Sequence, residues 1–320
     1  MERFAKEIKK YVEKALGDGF EVVFHDILKN NSTHKNAICI RKKGDKRFVA
    51  PSIYLEYFYS RFQKGVSLDD LAEEIIELYA EKLPSVNFDI ESLKKPDKTK
   101  IFYQIINFRE NNKLLDDIPH KKVEDLAIIF KYLVEKDCDG VKSFTINNNL
   151  SEMWGLDENV LYKLAQTNTP QLFPPSINSM EEVIFRMMEM QQEEQEQDFE
   201  EELSKLSGAI SDDCFGIPTF VLSNNTGING AAALLYPDVL KNIAKAIGEE
   251  ELYILPSSIH ETLLVPASFV HSQDITTFTN MVQEVNATQV LPEEKLSDGI
   301  YKFTANEILE RQVMAHDKVS

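Results

Sequence analysis

Cysteine is scarce in this chain, and no run of apolar residues is long enough to cross a membrane. The three cysteines, Cys39, Cys138 and Cys214, lie far apart and form no CxxC pair, a pattern typical of reduced thiols in a cytoplasm. Nowhere do about 18 uncharged apolar residues follow one another. Residues 1–16 mix Lys and Glu with apolar residues, which is not the composition of a signal peptide. The sequence therefore predicts a cytoplasmic protein.

Known catalytic and nucleotide-binding motifs are also missing. The chain has no phosphate-binding loop, dinucleotide fingerprint, zincin helix or cysteine zinc knuckle. No cofactor and no metal ion is expected on this basis. The lack of such motifs favours a non-enzymatic interaction or regulatory protein. Two alternatives stay open: a hydrolase-like enzyme, and an acidic anti-restriction protein that mimics nucleic acid.

Acidic side chains outnumber basic ones by 53 to 35, which gives a formal net charge of −18. Residues 181–213 hold 12 acidic and 2 basic side chains, so −8 remains for the rest of the chain. This local concentration weakens the nucleic-acid mimic hypothesis. Negative charge also disfavours binding to nucleic acid or to anionic lipid. We expect neither partner, whereas a protein partner could dock on the acidic segment.

The hydrophobic pattern predicts an α+β fold with two units, each built from antiparallel-rich mixed sheets and packed helices. The expected division is an N-terminal α+β unit over 1–180, with a further subdivision allowed near 95–100, and a C-terminal α+β domain over 215–320. Residues 181–214 are expected to be an acidic connector, either helical or disordered.

Helices and strands are assigned from periodicity and from turn residues. In the first half we expect a helix up to Gly17, strands at 20–27 and 37–41, and helices at 51–62 and 67–82, the second with a capping-box-like start at Ser67 and Asp70. Strands are then expected at 101–108, 126–134 and 141–147, although 125–135 could also be a helix. A helix capped by Asp157 should stop before Pro170, because the residue before a proline avoids the helical region. The segment 172–180 is then expected to be a rigid connector, with Ser179 capping a helix that runs through Met190.

Two hairpins are expected after the acidic segment. Strands at 219–222 and 231–236 form the first across a Gly- and Asn-rich turn, and strands at 252–256 and 262–266 form the second. Helices should follow from 238 and from 274. The remaining expectations are an edge strand at 300–304 and a helical tail from 306.

The second hairpin carries the best catalytic candidates, Ser257, Ser258, His260 and Glu261. Two hydroxyls, an imidazole and a carboxylate lie within five residues there. Neighbours on a turn point in different directions, however, and a catalytic triad normally draws its members from separated segments. The favoured interpretation is that His260 caps the hairpin or lies half-exposed at its tip, with a hydrolase-like site as the alternative.

Two further groups have both a structural and a functional interpretation. His120 lies near Asp116, Asp117 and Glu124, which could form a metal site but more often form a solvated turn. Tyr54, Phe58 and Phe62 recur at i, i+4 and i+8, so one helix face could be a ligand platform but is expected to be core.

Four ordered blocks resemble a known family. They are PSIYLEYFYSRFQKGVSLDDLAEEIIELY, KLLDDIPHKKVEDLAIIF, LYKLAQTNTPQLFPPSINSMEEV and ELYILPSSIHETLLVPA. In this order they resemble the uncharacterised bacterial domain-of-unknown-function family five-six-eight-eight, over nearly the whole chain. The resemblance implies a cytoplasmic bacterial protein. It assigns no activity and no catalytic residue.

Overall fold

The computed structural model describes residues 1–44, 52–82, 94–137, 140–189, 199–209, 217–256, 258–271, 274–304 and 307–312. The chain divides into two compact units, Met1–Pro96 and Asp97–Ser320. All strand pairs among the described residues are antiparallel, and helices pack on the sheets. The fold is therefore α+β, as the sequence predicts.

The first unit is a three-stranded sheet covered by helices. The sheet order is β1-β2-β3. Its elements are α1 (Glu2–Leu16), β1 (Phe20–Leu28), β2 (His34–Lys42), β3 (Ser52–Tyr54), α2 (Glu56–Gln63) and α3 (Leu68–Lys82). One face of α1 is apolar: every fourth residue along it, Phe4, Ile8 and Val12, is buried. This face packs against the sheet and against α3.

The aromatic residues near α2 divide between two elements, which corrects one sequence expectation. Tyr54 lies on β3 opposite Ala37, not on a helix, and its ring is 39% exposed. The reason is that Ile53 pairs with Ile38 and extends the hairpin by one strand, so α2 begins only at Glu56. Phe58 is core at 2% exposure, and Phe62 packs against the same cluster.

A serine side chain caps the start of each of two helices, and only the second of these starts is a reciprocal capping box. The Ser67 hydroxyl accepts the Asp70 N–H at 3.2 Å and donates to its carboxylate at 2.7 Å. At α7 (Met180–Glu189), the Ser179 Oγ accepts the Glu182 N–H at 3.2 Å, and the Glu182 carboxylate accepts the Ser179 N–H at 3.1 Å. Both starts agree with the sequence expectation, because this local pattern needs no distant partner.

The second unit contains two sheets. The strands are β4 (Ile101–Asn107), β5 (His120–Val123), β6 (Leu126–Asp137), β7 (Gly140–Thr145), β8 (Pro175–Ser179), β9 (Phe220–Asn224), β10 (Glu251–Leu255), β11 (Thr262–Pro266), β12 (Ile300–Thr304) and β13 (Glu307–Gln312). In the four-stranded sheet β6 lies beside β4 on one side, and beside β5 and β7 on the other. The six-stranded sheet has the order β13-β12-β10-β11-β9-β8. The helices are α4 (Asn112–Leu115), α5 (Asn148–Trp154), α6 (Glu158–Leu172), α7, α8 (Phe199–Ala209), α9 (Val239–Ala246) and α10 (Asp274–Thr288).

Helix α6 begins as expected but does not stop before its proline. The Asp157 carboxylate accepts the Val160 N–H at 2.9 Å, which confirms the cap. The helix continues through Pro170 to Leu172. A tertiary hydrogen bond fixes this last turn on β4, because the Thr169 hydroxyl accepts the Tyr103 N–H at 3.1 Å. The same hydroxyl donates to the Ala165 carbonyl within the helix, at 2.5 Å. Local backbone preference is thus overridden by packing on β4.

The segment expected to be a rigid connector contains β8, which pairs with β9. These two strands lie on either side of the acidic segment, so residues before and after it belong to one sheet and one compact unit. The unit boundary falls at Pro96 and Asp97, where the sequence allows a further subdivision, and does not coincide with 181–214. Within the acidic segment, α8 is helical and packs on β8.

Three assignments in the last block also differ from expectation. The expected strand at 231–236 is a 3₁₀ helix, Gly230–Leu235, whose residues up to Leu234 are buried. β12 is not an edge strand, because it lies between β10 and β13. The described part of the expected helical tail is β13, which pairs with β12 and satisfies its backbone groups.

Candidate functional site

Two turns of the second unit meet beside the six-stranded sheet. Residues 224–229 follow β9, and residues 258–261 precede β11. The two turns are brought together because β9 and β11 are neighbours, with Thr262 opposite Leu222. The Ser223 hydroxyl donates to the His260 carbonyl at 2.8 Å, and the Ala231 N–H donates to the Ile259 carbonyl at 3.1 Å. The catalytic candidates of the sequence therefore lie at a junction of two turns.

The His260 ring contacts protein groups through both nitrogens. Nδ1 accepts the backbone N–H of Asn229 at 3.2 Å, and Nε2 lies 3.5 Å from Oε1 of Glu294. A backbone N–H can only donate, so Nδ1 must hold a lone pair and the ring proton lies on Nε2, facing the carboxylate. The side chain is 31% exposed, which agrees with a half-exposed residue at the hairpin tip.

The other candidates do not complete a catalytic triad with this ring. The Ser258 Oγ accepts the backbone N–H of His260 at 3.0 Å, so these residues are joined through the main chain rather than through the imidazole. Glu261 is exposed, and Ser257 lies outside the described residues. The carboxylate that faces the ring belongs to Glu294, which the sequence analysis missed. The Ile259 N–H donates to the Glu294 carbonyl at 2.8 Å and positions that loop.

Asn224 organises the first turn. Its side-chain oxygen accepts the Thr226 N–H at 2.9 Å and the Thr226 hydroxyl at 2.8 Å, while its amide donates to the Ile228 carbonyl at 2.9 Å. Asn229 then adopts a left-handed conformation, with φ 56°. Gly230 follows in close contact with β9 and with the turn 258–261: a Cβ there would lie 2.1 Å from the Ser223 Oγ and 2.5 Å from the His260 carbonyl oxygen.

A small recess adjoins this junction. The room inside is enough for about one water molecule. Burial raises the pKa of Tyr103 and of Tyr236, and the Tyr236 hydroxyl donates to the Phe173 carbonyl at 3.0 Å, so both phenols stay protonated near neutral pH. The lining residues are Phe102, Tyr103, Val141, Thr169, Phe173, Asn224, Ile228, Asn229, Ala232 and Tyr236.

The model of a family of unknown function, DUF5688, matches residues 1–305. The chain belongs to DUF5688. This match confirms the resemblance carried by the four sequence blocks, and it covers both compact units. No curated protein and no solved structure matches the chain. Because the family has no assigned function, membership assigns no role to His260 or to its neighbours.

The other buried ionisable group of interest in this DUF5688 protein is Glu202, on α8. Its side chain is 8% exposed. One carboxylate oxygen accepts the Ser176 hydroxyl at 2.9 Å, and the other accepts the Ile177 N–H at 2.8 Å. Burial raises the pKa of this carboxyl, although those two hydrogen bonds and Arg186 act in the opposite direction. Glu202 therefore fastens α8 to β8 at an electrostatic cost.

Glu202→Gln should change how stability depends on pH. Because the pKa is raised in the folded protein, the folded state binds this proton more tightly than the unfolded chain. The corresponding stabilisation is complete below the ordinary Glu pKa and is lost as pH rises through the raised value. As the pH rises from the ordinary Glu pKa through the raised pKa of Glu202, the wild type should therefore lose stability relative to the Gln variant. Denaturant unfolding at several pH values measures this difference. Glu201→Gln, an exposed neighbour, is the control, and an equal effect of both substitutions would contradict the assignment.

The metal alternative at His120 gains no support from the fold of this DUF5688 protein. His120 lies on β5, with Nδ1 3.0 Å from the Ile118 carbonyl oxygen and the ring beside Phe108. Among the described residues, no three His, Cys, Asp or Glu side chains group as metal ligands would. Within the same residues, no helix has the length and apolar composition needed to span a bilayer.

Proposed function

We propose that this chain is a cytoplasmic, non-enzymatic interaction protein of bacteria. The observation that carries the proposal is the use of His260: Nδ1 accepts a backbone N–H, and Nε2 faces Glu294. A histidine that serves as a general base needs a ring nitrogen directed at its nucleophile. Here neither nitrogen faces Ser258. His260, the best catalytic candidate of the sequence, therefore has a structural role in the turn. The adjoining recess has room for about one water molecule and is too small for a substrate.

The distribution of charge supports a basic protein as the partner. Met1–Pro96 has 17 basic and 16 acidic side chains, whereas Asp97–Ser320 has 18 basic and 37 acidic ones. The negative charge thus belongs to the second unit. On α8 the buried Glu202 fixes the helix on β8, while Glu200 and Glu201 are exposed. We propose that this acidic surface attracts a Lys- and Arg-rich protein partner. Nucleic acid is also negatively charged, so the same surface would repel it.

The test measures binding of a fluorescent oligolysine peptide to the full chain by anisotropy, at low and at high salt. Binding should weaken with salt, because exposed charges are screened. Glu200→Gln with Glu201→Gln should weaken it by about 2- to 10-fold, the range for two exposed ion pairs. The matched control is Glu73→Gln with Glu77→Gln, two exposed positions on α3 of the charge-balanced unit. That pair should leave the affinity unchanged.

Two outcomes would contradict the proposal. Equal weakening by both pairs of substitutions would show that the acidic surface of the second unit has no special role. Hydrolysis of small ester substrates by the wild type, lost in a His260→Asn variant, would instead establish the hydrolase-like alternative. Oligoglutamate of matched length serves as the peptide control and should not bind.

A further inference from the structure

We propose that His260 is a pH-sensitive latch for the turn formed by residues 224–229. The latch is the hydrogen bond from the Asn229 N–H to Nδ1 of His260, 3.2 Å long. This inference concerns the turn junction alone and does not depend on the partner proposed above. It follows from the chemistry of the imidazole, because this contact exists only while Nδ1 carries no proton.

Protonation of His260 converts the acceptor into a donor. The imidazolium carries hydrogen on both ring nitrogens, so an Nδ1–H would point at the Asn229 N–H and the hydrogen bond would be lost. The Nε2–H would still face Glu294, 3.5 Å away. Two further charged groups adjoin these residues in the chain: Glu261, which is exposed on the same turn, and Lys295, which follows Glu294 and pairs with Asp298 at 2.5 Å.

The turn is built to respond locally. Asn224 binds Thr226 and Ile228 through its side chain, so residues 224–228 are held together by contacts that do not titrate with His260. The Ala231 N–H to Ile259 carbonyl bond and the Ser223 hydroxyl to His260 carbonyl bond also remain. Loss of the latch therefore frees Asn229 without unfolding the sheet.

Loss of the hydrogen bond between Asn229 and His260 would also change the recess beside the turn. Ile228 and Asn229 line the recess beside Tyr103 and Tyr236, and Ile228 is already partly exposed. Movement of Asn229 away from His260 would widen this recess at acidic pH. The turn then acts as a lid whose closed position requires a neutral imidazole.

Hydrogen exchange of the full chain tests the latch. With rates corrected for the intrinsic pH dependence, the Asn229 amide should exchange about 2- to 10-fold faster in mildly acidic than in neutral buffer, as expected for one lost neutral hydrogen bond. The ¹⁵N shifts of the His260 ring should report the Nε2–H form at neutral pH and the doubly protonated form when exchange accelerates. Amides of β10 and β11 should show no such change.

Two variants keep the proposal falsifiable. His260→Asn places a carbonyl oxygen that can accept the Asn229 N–H but does not titrate, so its exchange should be independent of pH. Glu294→Gln removes the carboxylate but leaves the bond from the Asn229 N–H to Nδ1 in place, so exchange at Asn229 should still follow the charge of the His260 ring. A wild-type Asn229 amide whose corrected exchange does not follow the His260 ring shifts would overturn the proposal, and so would an Nδ1–H tautomer at neutral pH.

Discussion

Gly230→Ala should lower the free energy of unfolding of the second unit by about 3 kcal/mol or more, the upper range for overpacking in a closed site. The added methyl group would meet the Ser223 Oγ at 2.1 Å, the His260 carbonyl oxygen at 2.5 Å and the Asn224 nitrogen at 2.7 Å. Two of these atoms are backbone, so the methyl group can be accommodated only if the two turns separate. Denaturant unfolding followed by the fluorescence of Trp154, the only tryptophan, measures the effect.

Gly227→Ala is the matched control for this substitution. Gly227 lies in the same turn with φ +66°, but a Cβ there would meet nothing within 4 Å. Gly227→Ala should then lower the free energy of unfolding by only about 1–2 kcal/mol, the cost of a left-handed backbone for a residue with a side chain. If Gly227→Ala is the more destabilising of the two substitutions, the close contacts of Gly230 do not determine the stability of the junction.

Phe58→Ala should destabilise the first unit by about 3–5 kcal/mol, through lost transfer free energy and the cavity that remains. Phe58 is 2% exposed and lies in the core cluster with Leu71 and Ile75. Thermal and denaturant unfolding by far-UV circular dichroism is the suitable measurement, because Trp154 belongs to the other unit. The melting temperature should fall clearly.

Tyr57→Ala provides the comparison on the same helix. Tyr57 is 59% exposed and contacts the Phe58 ring from outside, at 5.3 Å between centroids. Its removal should cost about 1 kcal/mol or less, as for an exposed aromatic contact. If Phe58→Ala melts like the parent while Tyr57→Ala does not, the exposed aromatic ring rather than the buried one stabilises this unit.

Elements with strong local signals could be predicted from the sequence. The hairpins β1–β2 and β10–β11 are short runs rich in apolar residues, each bounded by turn residues, and their pairing agrees with expectation. Asp157 and Ser179 begin helices as their capping patterns indicate. In each case the signal and the structure lie within a few residues of one another.

Elements determined by distant packing could not be predicted. β8 needs β9 as its partner, and the paired residues lie 49 positions apart at Pro175 and Asn224 and 41 positions apart at Ser179 and Phe220. Nothing local distinguishes β8 from a rigid connector. The 3₁₀ helix at Gly230–Leu235 forms where the chain must approach His260 closely. In the site, Glu294 reaches the imidazole because the Ile259 N–H holds its loop, and this contact leaves no pattern in the sequence.

The pairing of β8 with β9 also determines how well the fold tolerates a change in the length of the acidic segment. Ser179 lies opposite Phe220, and the Met180 N–H donates to the Thr219 carbonyl at 2.8 Å, so the segment leaves and re-enters the sheet at one closed base. The entropy of closing such a loop rises slowly, by about 0.6 kcal/mol for each doubling of its length. A change in the length of the acidic segment would thus alter the cost of loop closure only slightly, while the sheet that anchors both of its ends stays the same.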